Sequence, residues 1–274
     1  MGPTDGDQDL LPPPEEPAAE PPPEEPAVEP PPAEPAPERE QRTKLSRRLL
    51  YAAAGVAALA AAWAIHELVT WPDVAALADA NPETTAFIER YRRQSGSEPE
   101  QRWVPYGRIS GHLKLAVLVA EDIEFFDHDG FSRHEMKQAL KDALEEGKPL
   151  RGASTLTQQL AKNLWLSPSR NPWRKVKEAL LTRQLENRLS KHRILEIYLN
   201  VVELGPGVYG AEAAARKYFG TSAAALGERE AAALAAALPR PRSWHPGSGS
   251  RTAERRAARI LGRMRRAGWL RQSL

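Results

Sequence analysis

The stretch LAVLVAEDIEFFDHDG, residues 115–130, joins six apolar residues to a segment that contains five acids and one histidine. The apolar run predicts a buried helix. If that helix continues, Glu121, Phe125 and His128 fall at positions i, i+4 and i+7 and share one face. Apolar surroundings raise the pKa of a carboxyl group, and a general base that works near neutral pH requires such a pKa. Glu121 is therefore a candidate general base at the edge of a pocket.

Two other interpretations of this stretch need no catalysis. A helix end that faces solvent would explain an isolated acidic pair such as Glu121 and Asp122. A calcium loop that begins at Asp127 needs a bidentate glutamate as its twelfth residue, but the chain has Gln138 there. The sequence therefore excludes an EF-hand loop and leaves the solvated helix end open.

The first forty residues differ in composition from the rest of the chain. They contain 14 of the 25 prolines and 12 acids against a single base, Arg39. Such a segment cannot bury enough apolar surface to offset its ordering entropy, so we expect residues 1–40 to form a disordered tail. Because the whole chain has a net charge of +2, residues 41–274 carry +13, which suggests an anionic partner. The chain has no cysteine, which excludes disulfides and a cysteine nucleophile.

An uncharged run of 17 residues, LLYAAAGVAALAAAWAI at 49–65, predicts a transmembrane helix over residues 49–69. A cleaved signal peptide is the alternative, but the run starts about fifty residues into the chain, later than an ordinary signal. Four cations in the basic flank, residues 41–48, precede the run: Arg42, Lys44, Arg47 and Arg48. The positive-inside rule therefore predicts a cytoplasmic tail and an extracytoplasmic segment over residues 70–274.

Helical periodicity dominates the chain after this span. It predicts an all-α domain over residues 70–274 with at most a short hairpin near Trp103–Ile109. Two helix starts are recognisable in the sequence. Thr155 followed by Gln158 is a capping box, and Asn171 followed by Pro172 is an N-cap with proline at the first helical position. Either start explains its polar residues without a function.

The second helix start is surrounded by cations and followed by Glu178. These cations are Lys162, Arg170, Arg174, Lys175 and Lys177. Together with the amides of a helix N-terminus they predict an anion-binding site. The predicted extracytoplasmic location and the lack of a recognised nucleic-acid-binding motif disfavour nucleic acid as the ligand.

A buried acid beside a phosphate-sized basic pocket suits sugar transfer from a lipid pyrophosphate. There the leaving group needs its charge neutralised, while the attacking hydroxyl needs a base. A hydrolase of the lysozyme type would instead protonate a glycosidic oxygen and would not need the basic pocket.

The residues resemble the peptidoglycan glycosyltransferases of glycosyltransferase family 51. EDIEFFDHDG is similar to the family's first motif, RGASTLTQQLAKN to its second and RKVKE to its third. RILEIYLN resembles the fourth motif and ELGPGVYGAEAAARKYFG the fifth, so all five follow in order over residues 115–220. The sequence GVYGAEAAARKYFG most resembles the monofunctional members of the family. The Ser-x-x-Lys and Lys-Thr-Gly signatures of a transpeptidase do not occur in the sequence. The resemblance implies a lysozyme-like helical domain that polymerises lipid II with inversion and releases undecaprenyl pyrophosphate.

At the matching positions the resemblance also implies roles for individual residues. Glu121 would deprotonate the 4-hydroxyl of the acceptor lipid II, and Glu178 would be a second essential acid at the donor pyrophosphate. Asp122 and His128 would shape the substrate cleft and hold Glu121. The remaining substrate-binding residues would hold the diphosphate (Lys162, Arg170, Arg174 and Lys175) or line the cleft (Ser154, Thr155, Gln158, Gln159 and Asn163).

The resemblance implies Mg2+ or Mn2+ as cofactor, although no ligand set can be read from the sequence. The expected partners are lipid II, the lipid-linked glycan chain and the bacterial inner membrane, with the catalytic domain in the periplasm. The tail would recruit a cell-division or elongation protein. A glycan-cleaving lytic enzyme and a non-catalytic scaffold remain as alternative functions.

Two further segments are candidates for membrane contact. Residues 131–150 align with a membrane-dipping segment of the family, and their apolar residues form either that contact or a packed core face: Phe131, Met136, Leu140 and Leu144. The last predicted helix has eight arginines between Arg251 and Arg271. These could contact anionic lipid headgroups, or the helix could simply pack on the domain through Ile260, Leu261 and Met264.

Overall fold

The computed structural model describes residues 38–132, 137, 145, 154–167 and 171–274. The chain divides into two compact units at Thr70 and Trp71. The first unit contains helix α1, Glu38–Val69, which begins inside the predicted tail. Within the described part, the segment Arg47–Val69 is the one helix long and apolar enough to cross a membrane. Residues 1–37 of the predicted tail lie outside the described residues.

The second unit is mostly helical, which confirms the predicted fold class. Its helices are α2 (Ala86–Ser95), α3 (Gly111–Glu121), α4 (Leu156–Trp165), α5 (Pro172–Arg188), α6 (Lys191–Val201), α7 (Ala211–Phe219), α8 (Glu228–Ala237), α9 (Pro241–Trp244) and α10 (Arg251–Arg266). Short 3-10 turns include Tyr106–Arg108 and Gly268–Ser273. The described strands are β1 (Glu100–Gln101), β2 (Glu203–Gly205) and β3 (Val208–Tyr209).

These strands form one small sheet in the order β1-β3-β2, parallel between β1 and β3 and antiparallel between β2 and β3. The predicted hairpin near Trp103–Ile109 is wrong, because that segment contains a 3-10 turn and the hairpin lies at residues 203–209. Its turn uses Gly207 at φ +70°, where an added Cβ would lie 2.4 Å from the Tyr91 hydroxyl. Glycine is therefore required at this turn on both conformational and steric grounds.

Helix α3 is the central element of the domain core. Every residue from Leu113 to Val119 is buried, and the helix packs against α8 and α10. A helix that is apolar on all sides belongs in the interior. Even Lys114 is buried there, with its ammonium 3.6 Å from the centre of the Tyr106 ring. The acidic stretch therefore starts at the end of the most buried helix, as the apolar run predicts.

The chain leaves the helix at the acidic stretch itself, so the predicted common helical face of Glu121, Phe125 and His128 is wrong. Helix α3 ends at Glu121, and Asp122 has φ −164° and ψ 80°. Residues 123–130 follow in turns. The buried Asp122 carboxylate accepts a hydrogen bond from the Leu156 amide. This hydrogen bond stabilises the turn conformation at Asp122 relative to a continued helix.

Both predicted helix starts are confirmed. The Thr155 hydroxyl accepts from the Gln158 amide at 3.3 Å, and the Gln158 side chain accepts from the Thr155 amide at 3.0 Å. At α5 the Asn171 side chain accepts from the Trp173 amide at 2.9 Å, with Pro172 at the first helical position. These contacts are local, which is why the residue pattern alone predicted them.

Candidate functional site

Glu121 lies at the end of α3 with its carboxylate held by two other helices. Gln159 Nε2 on α4 donates to Oε2 at 3.1 Å, and Arg256 Nη2 on α10 donates to Oε1 at 2.8 Å. The side chain keeps 14% of its surface exposed. A carboxylate has about four acceptor positions, so one that accepts two hydrogen bonds can still accept a third group.

The Gln159 amide is itself oriented by Tyr198 of α6. The Tyr198 hydroxyl donates to Gln159 Oε1 at 3.0 Å, which turns the amide NH2 group toward Glu121. Burial and the nearby charges of Glu121 and Asp122 raise the pKa of Tyr198 well above its usual value. The phenol therefore stays protonated and remains a donor.

Burial raises the pKa of Glu121 above its usual value, as the sequence predicted. The hydrogen bond from Gln159, the positive charge of Arg256 and the charge of Lys162 act in the opposite direction and lower it. The opposing effects are the ones that tune a general base toward neutral pH, since burial supplies basicity while the cations preserve a population of carboxylate.

Glu178 is the seventh residue of α5 and only 3% exposed, and its carboxylate contacts two cations of its own helix. Arg174 Nη1 donates to Oε2 at 2.8 Å and Lys175 Nζ donates to Oε1 at 2.5 Å. Lys162 of α4 belongs to the same cluster. Burial lowers its pKa, while the charge of Glu178 raises it. Three cations thus surround one carboxylate, leaving a net positive cluster.

Adjoining cavities connect the two acids. The cavity at Glu121, about 350 Å³, and the cavity at Glu178, about 130 Å³, are both lined by Ser154 and Gln159. A third cavity of about 430 Å³ shares Gln159 and Lys162 and is also lined by Asn163. Together they form one cleft of the size used for small-molecule binding, with polar groups at defined points.

Residues 86–265 match a protein-family model described as Transglycosylase. The chain belongs to this transglycosylase family. Among similar proteins, the biosynthetic peptidoglycan transglycosylase of Azoarcus sp. (strain BH72) is 46% identical over 222 residues, covering 79% of this chain and 93% of that protein. The protein of the same name from Aromatoleum aromaticum is 50% identical over 189 residues, covering 67% and 82%.

In this transglycosylase domain, Asp122 and His128 form a buried hydrogen-bond network beside Glu121. Gly130 N donates to His128 Nδ1 at 3.0 Å, so Nε2 carries the proton and donates to Asp122 Oδ1 at 3.0 Å. The other carboxylate oxygen, Oδ2, accepts from the Leu156 amide at 2.9 Å. Asp122 therefore joins the turn after α3 to the first residue of α4, which carries Gln159 and Lys162.

Thr155 extends the same hydrogen-bond network. Its hydroxyl donates to the Gly130 carbonyl at 2.7 Å while accepting from the Gln158 amide. Ser154 is exposed at the mouth of two cavities, and Gln158 lines the smaller one. The predicted cleft residues thus separate into Ser154, Gln158, Gln159 and Asn163, which line cavities, and Thr155, which holds the backbone.

Two sequence expectations fall wholly or largely outside the described residues. Arg170 is one of them. The other is the segment 131–150, of which only residues 131, 132, 137 and 145 are described. Lys177 is described, and its ammonium lies 5.3 Å from the centre of the Trp71 ring. It is not among the residues that line the cavity at Glu178.

The sequence reasoning missed Arg256 as a member of the site. It lines the Glu121 cavity together with Arg263 and Pro239. Its Nε–H is buried and, within the described residues, has no acceptor. The available signal was the seven-residue spacing of Arg256 and Arg263, which places both on one side of α10, but nothing local shows which residue that side faces.

No protein ligand set for a metal is evident in the part of the chain that the structure describes. It contains no group of three or more His, Asp or Glu side chains with suitable geometry. Both oxygens of Glu178 are engaged by Arg174 and Lys175. The described residues therefore do not fit a site in which the protein itself supplies most ligands of a divalent cation.

Proposed function

We propose that this protein polymerises peptidoglycan glycan strands. In the proposed reaction, the growing lipid-linked chain is transferred to the 4-hydroxyl of lipid II with inversion, and undecaprenyl pyrophosphate is released. The observation that carries the proposal is the single cleft in which a buried acid, Glu121, adjoins a cationic cluster of Lys162, Arg174 and Lys175. Membership of the transglycosylase family and the names of its relatives support the same activity.

Glu121 would act as the general base. Its carboxylate would take the proton of the 4-hydroxyl while that oxygen forms a bond to the anomeric carbon of the donor. The raised pKa gives the carboxylate the basicity for this transfer, and Gln159 and Arg256 hold it in one orientation. The unpartnered Arg256 Nε–H would donate to an oxygen of the bound sugar, which satisfies a buried donor.

The cationic cluster would stabilise the leaving group. When the bond between the anomeric carbon and the diphosphate oxygen breaks, the electron pair stays with the diphosphate, and its negative charge grows. Fixed cations aimed at a developing charge stabilise the transition state more than the ground state. Lys162 suits this role because, among the described residues, its ammonium has no hydrogen-bond partner and lines two of the cavities.

Glu178 would organise this cluster rather than exchange protons with the substrate. Arg174 and Lys175 both donate to its carboxylate, so their side chains are held on the cavity wall. A Mg2+ or Mn2+ requirement is proposed only from the family. Because the described residues offer no ligand set, the diphosphate oxygens of the substrate would have to supply most of the ligands.

The candidate span and its basic flank support a single-pass protein of the bacterial inner membrane. In this proposal residues 1–40 form a cytoplasmic tail, 41–48 a basic flank, 49–69 the span and 70–274 the periplasmic domain. The tail would bind a cell-division or elongation protein. Deleting residues 2–40 should then change localisation of the protein without changing turnover by the purified enzyme.

Turnover of lipid II by the purified full chain in detergent with Mg2+ tests the activity, with products resolved by size. The wild type should form polymer, and Glu121→Gln and Glu178→Gln should form little or none. Glu254→Gln is the matched control, since this exposed glutamate on α10 lies outside the cleft. Cleavage of added glycan strands without polymer formation would identify a lytic enzyme, and no reaction of either kind would identify a scaffold.

A further inference from the structure

Helix α10 carries a row of arginines on the side that does not pack into the domain. Its buried residues are Ala253, Ile260 and Met264. Four exposed arginines share the opposite side at spacings of four and seven residues: Arg251, Arg255, Arg259 and Arg266. We call these four residues the arginine face. Helical spacing aligns them along about four turns, and the row continues through Arg263 to Arg256 at the catalytic cleft.

The arginine face has no ion-pair partner in the part of the chain that the structure describes. None of its four guanidinium groups forms an ion pair with the residues that the structure describes, unlike Arg256, which pairs with Glu121, and Arg271, which pairs with Glu228. Packing explains why α10 is amphipathic, but it does not explain a row of unpaired like charges, which repel one another. An anionic surface that covered the row would relieve this repulsion.

An exposed tryptophan follows the helix. Trp269 lies in the turn Gly268–Ser273 and is 56% exposed, although the adjacent Leu270 is buried. Tryptophan is enriched at the boundary between membrane and water, where its ring sits among headgroups. A basic helix face next to an exposed tryptophan is typical of a segment that lies on a membrane surface.

The short connection between the candidate span and the domain favours a bilayer over a soluble anion as the partner of the arginine face. The candidate span ends at Val69 and the domain begins at Trp71, so any bilayer that the span crosses lies only a few residues of chain from the domain. An anionic surface is therefore continuously available at high local concentration.

We propose that the arginine face binds the phosphate groups of anionic phospholipids and holds α10 on the membrane surface beside the catalytic cleft. This binding does not depend on the proposed reaction. Each basic residue near an anionic membrane surface strengthens association roughly fivefold. Loss of three arginines should therefore weaken the local contact on the order of a hundredfold, and 0.5 M salt should weaken it strongly.

A site-specific label on the full chain tests this contact. Because the chain has no cysteine, Ala258→Cys places one fluorophore on the exposed side of α10. The protein is reconstituted in nanodiscs of phosphatidylcholine, with or without phosphatidylglycerol, that contain a headgroup-proximal lipid quencher. We expect several-fold stronger quenching with phosphatidylglycerol, and we expect it to be lost in Arg251→Gln/Arg255→Gln/Arg259→Gln.

The matched control removes the same charge elsewhere. Arg93→Gln/Arg102→Gln/Arg108→Gln changes three exposed arginines outside α10 and should keep the quenching. A label at Ala224→Cys, exposed near α8, measures quenching without the arginine face. Equal quenching in both lipid mixtures, or unchanged quenching in the α10 triple variant, would overturn the proposal. A response of the Ala258 label to soluble inorganic phosphate in phosphatidylcholine nanodiscs would also overturn it and indicate a free-anion site.

Discussion

Arg256 and Glu121 are 135 residues apart in the chain and are joined by a hydrogen-bonded ion pair of 2.8 Å. The contact places the C-terminal helix α10 directly on the candidate general base. It also gives Glu121 an opposing pair of influences, burial that raises its pKa and a guanidinium that lowers it. The basicity of this acid therefore depends on a helix that lies beyond all five sequence motifs.

Arg256→Gln should shift the acid limb of the pH–rate profile to higher pH. Arg256 lowers the pKa of Glu121, so its removal raises that pKa, and Glu121 stays protonated and inactive as a base up to a higher pH. The loss of rate should be largest on the acid side and should shrink as pH rises. The measurement is kcat/KM for lipid II between pH 5.5 and 9.

Arg229→Gln is the control for this shift, because Arg229 is exposed on α8 and outside the cleft. It should leave the limb in place. A lower plateau in Arg256→Gln with an unmoved limb would show that Arg256 acts on the bound sugar rather than on the pKa of Glu121.

Lys162→Met should separate activity from stability. Burial lowers the pKa of Lys162, which means that its charged form is held at a desolvation cost, and methionine removes that cost while keeping a similar length. We expect kcat/KM to fall on the order of a hundredfold, with Tm unchanged or raised. Lys217→Met, at a surface lysine that pairs with Glu100, should leave kcat/KM within about twofold.

A parallel fall of Tm and kcat/KM in Lys162→Met would contradict this expectation. It would mean that the lysine supports the fold of the cleft instead of stabilising charge that develops on the substrate.

Asp122→Asn should destabilise the domain by about 1–3 kcal/mol, because one carboxylate now satisfies two buried donors. Oδ2 accepts from the Leu156 amide, and the protonated Nε2 of His128 donates to the same carboxylate. Because His128 Nε2 lies 3.0 Å from one carboxylate oxygen and 3.1 Å from the other, an amide NH2 in either position would face a buried donor. Thermal unfolding of the detergent-solubilised protein measures the loss.

Asp129→Asn provides the comparison for that change, since Asp129 is exposed seven residues further along the same stretch. Its Tm should match that of the wild type. If Asp122→Asn kept wild-type Tm but lost activity, Asp122 would contact substrate rather than hold the backbone.

Gly130→Ala should cost more stability than Gly96→Ala. Both glycines have positive φ, +88° and +65°, so alanine is strained at both. An added Cβ at Gly130 would also lie 2.7 Å from Thr182 Cγ2, whereas nothing lies within 4 Å at Gly96. We expect about 1–2 kcal/mol for Gly96→Ala from strain alone and about 1–3 kcal/mol more for Gly130→Ala from overpacking. Equal losses of Tm would show that strain alone requires glycine at Gly130.

Features that depend on neighbours in the chain were predictable from the sequence. The capping box of Thr155 and Gln158 and the N-cap of Asn171 are contacts over two or three residues. The cluster of Arg174, Lys175 and Glu178 likewise follows from helical spacing of three and four residues. The burial of α3 follows from its continuous apolar run.

Features that depend on distant partners could not be predicted from the sequence. The end of α3 at Glu121 was predicted one turn or more too late, because the Asp122 carboxylate is engaged by an amide 34 residues away. The sequence predicted at most a short hairpin near residues 103–109, whereas the hairpin is at 203–209, because strands of two or three residues give no periodic signal.

By itself the sequence determined a helical domain after one apolar span, the acid that follows the buried helix, and the cations that surround Glu178. These properties follow from local spacing and composition, which do not depend on how the helices pack against one another. Only the tertiary structure decided which helices meet at the cleft: Gln159, held by Tyr198, and Arg256 of α10 both reach Glu121. Contacts between helices depend on packing of the whole core, and no local pattern specifies which distant side chain will meet a given carboxylate.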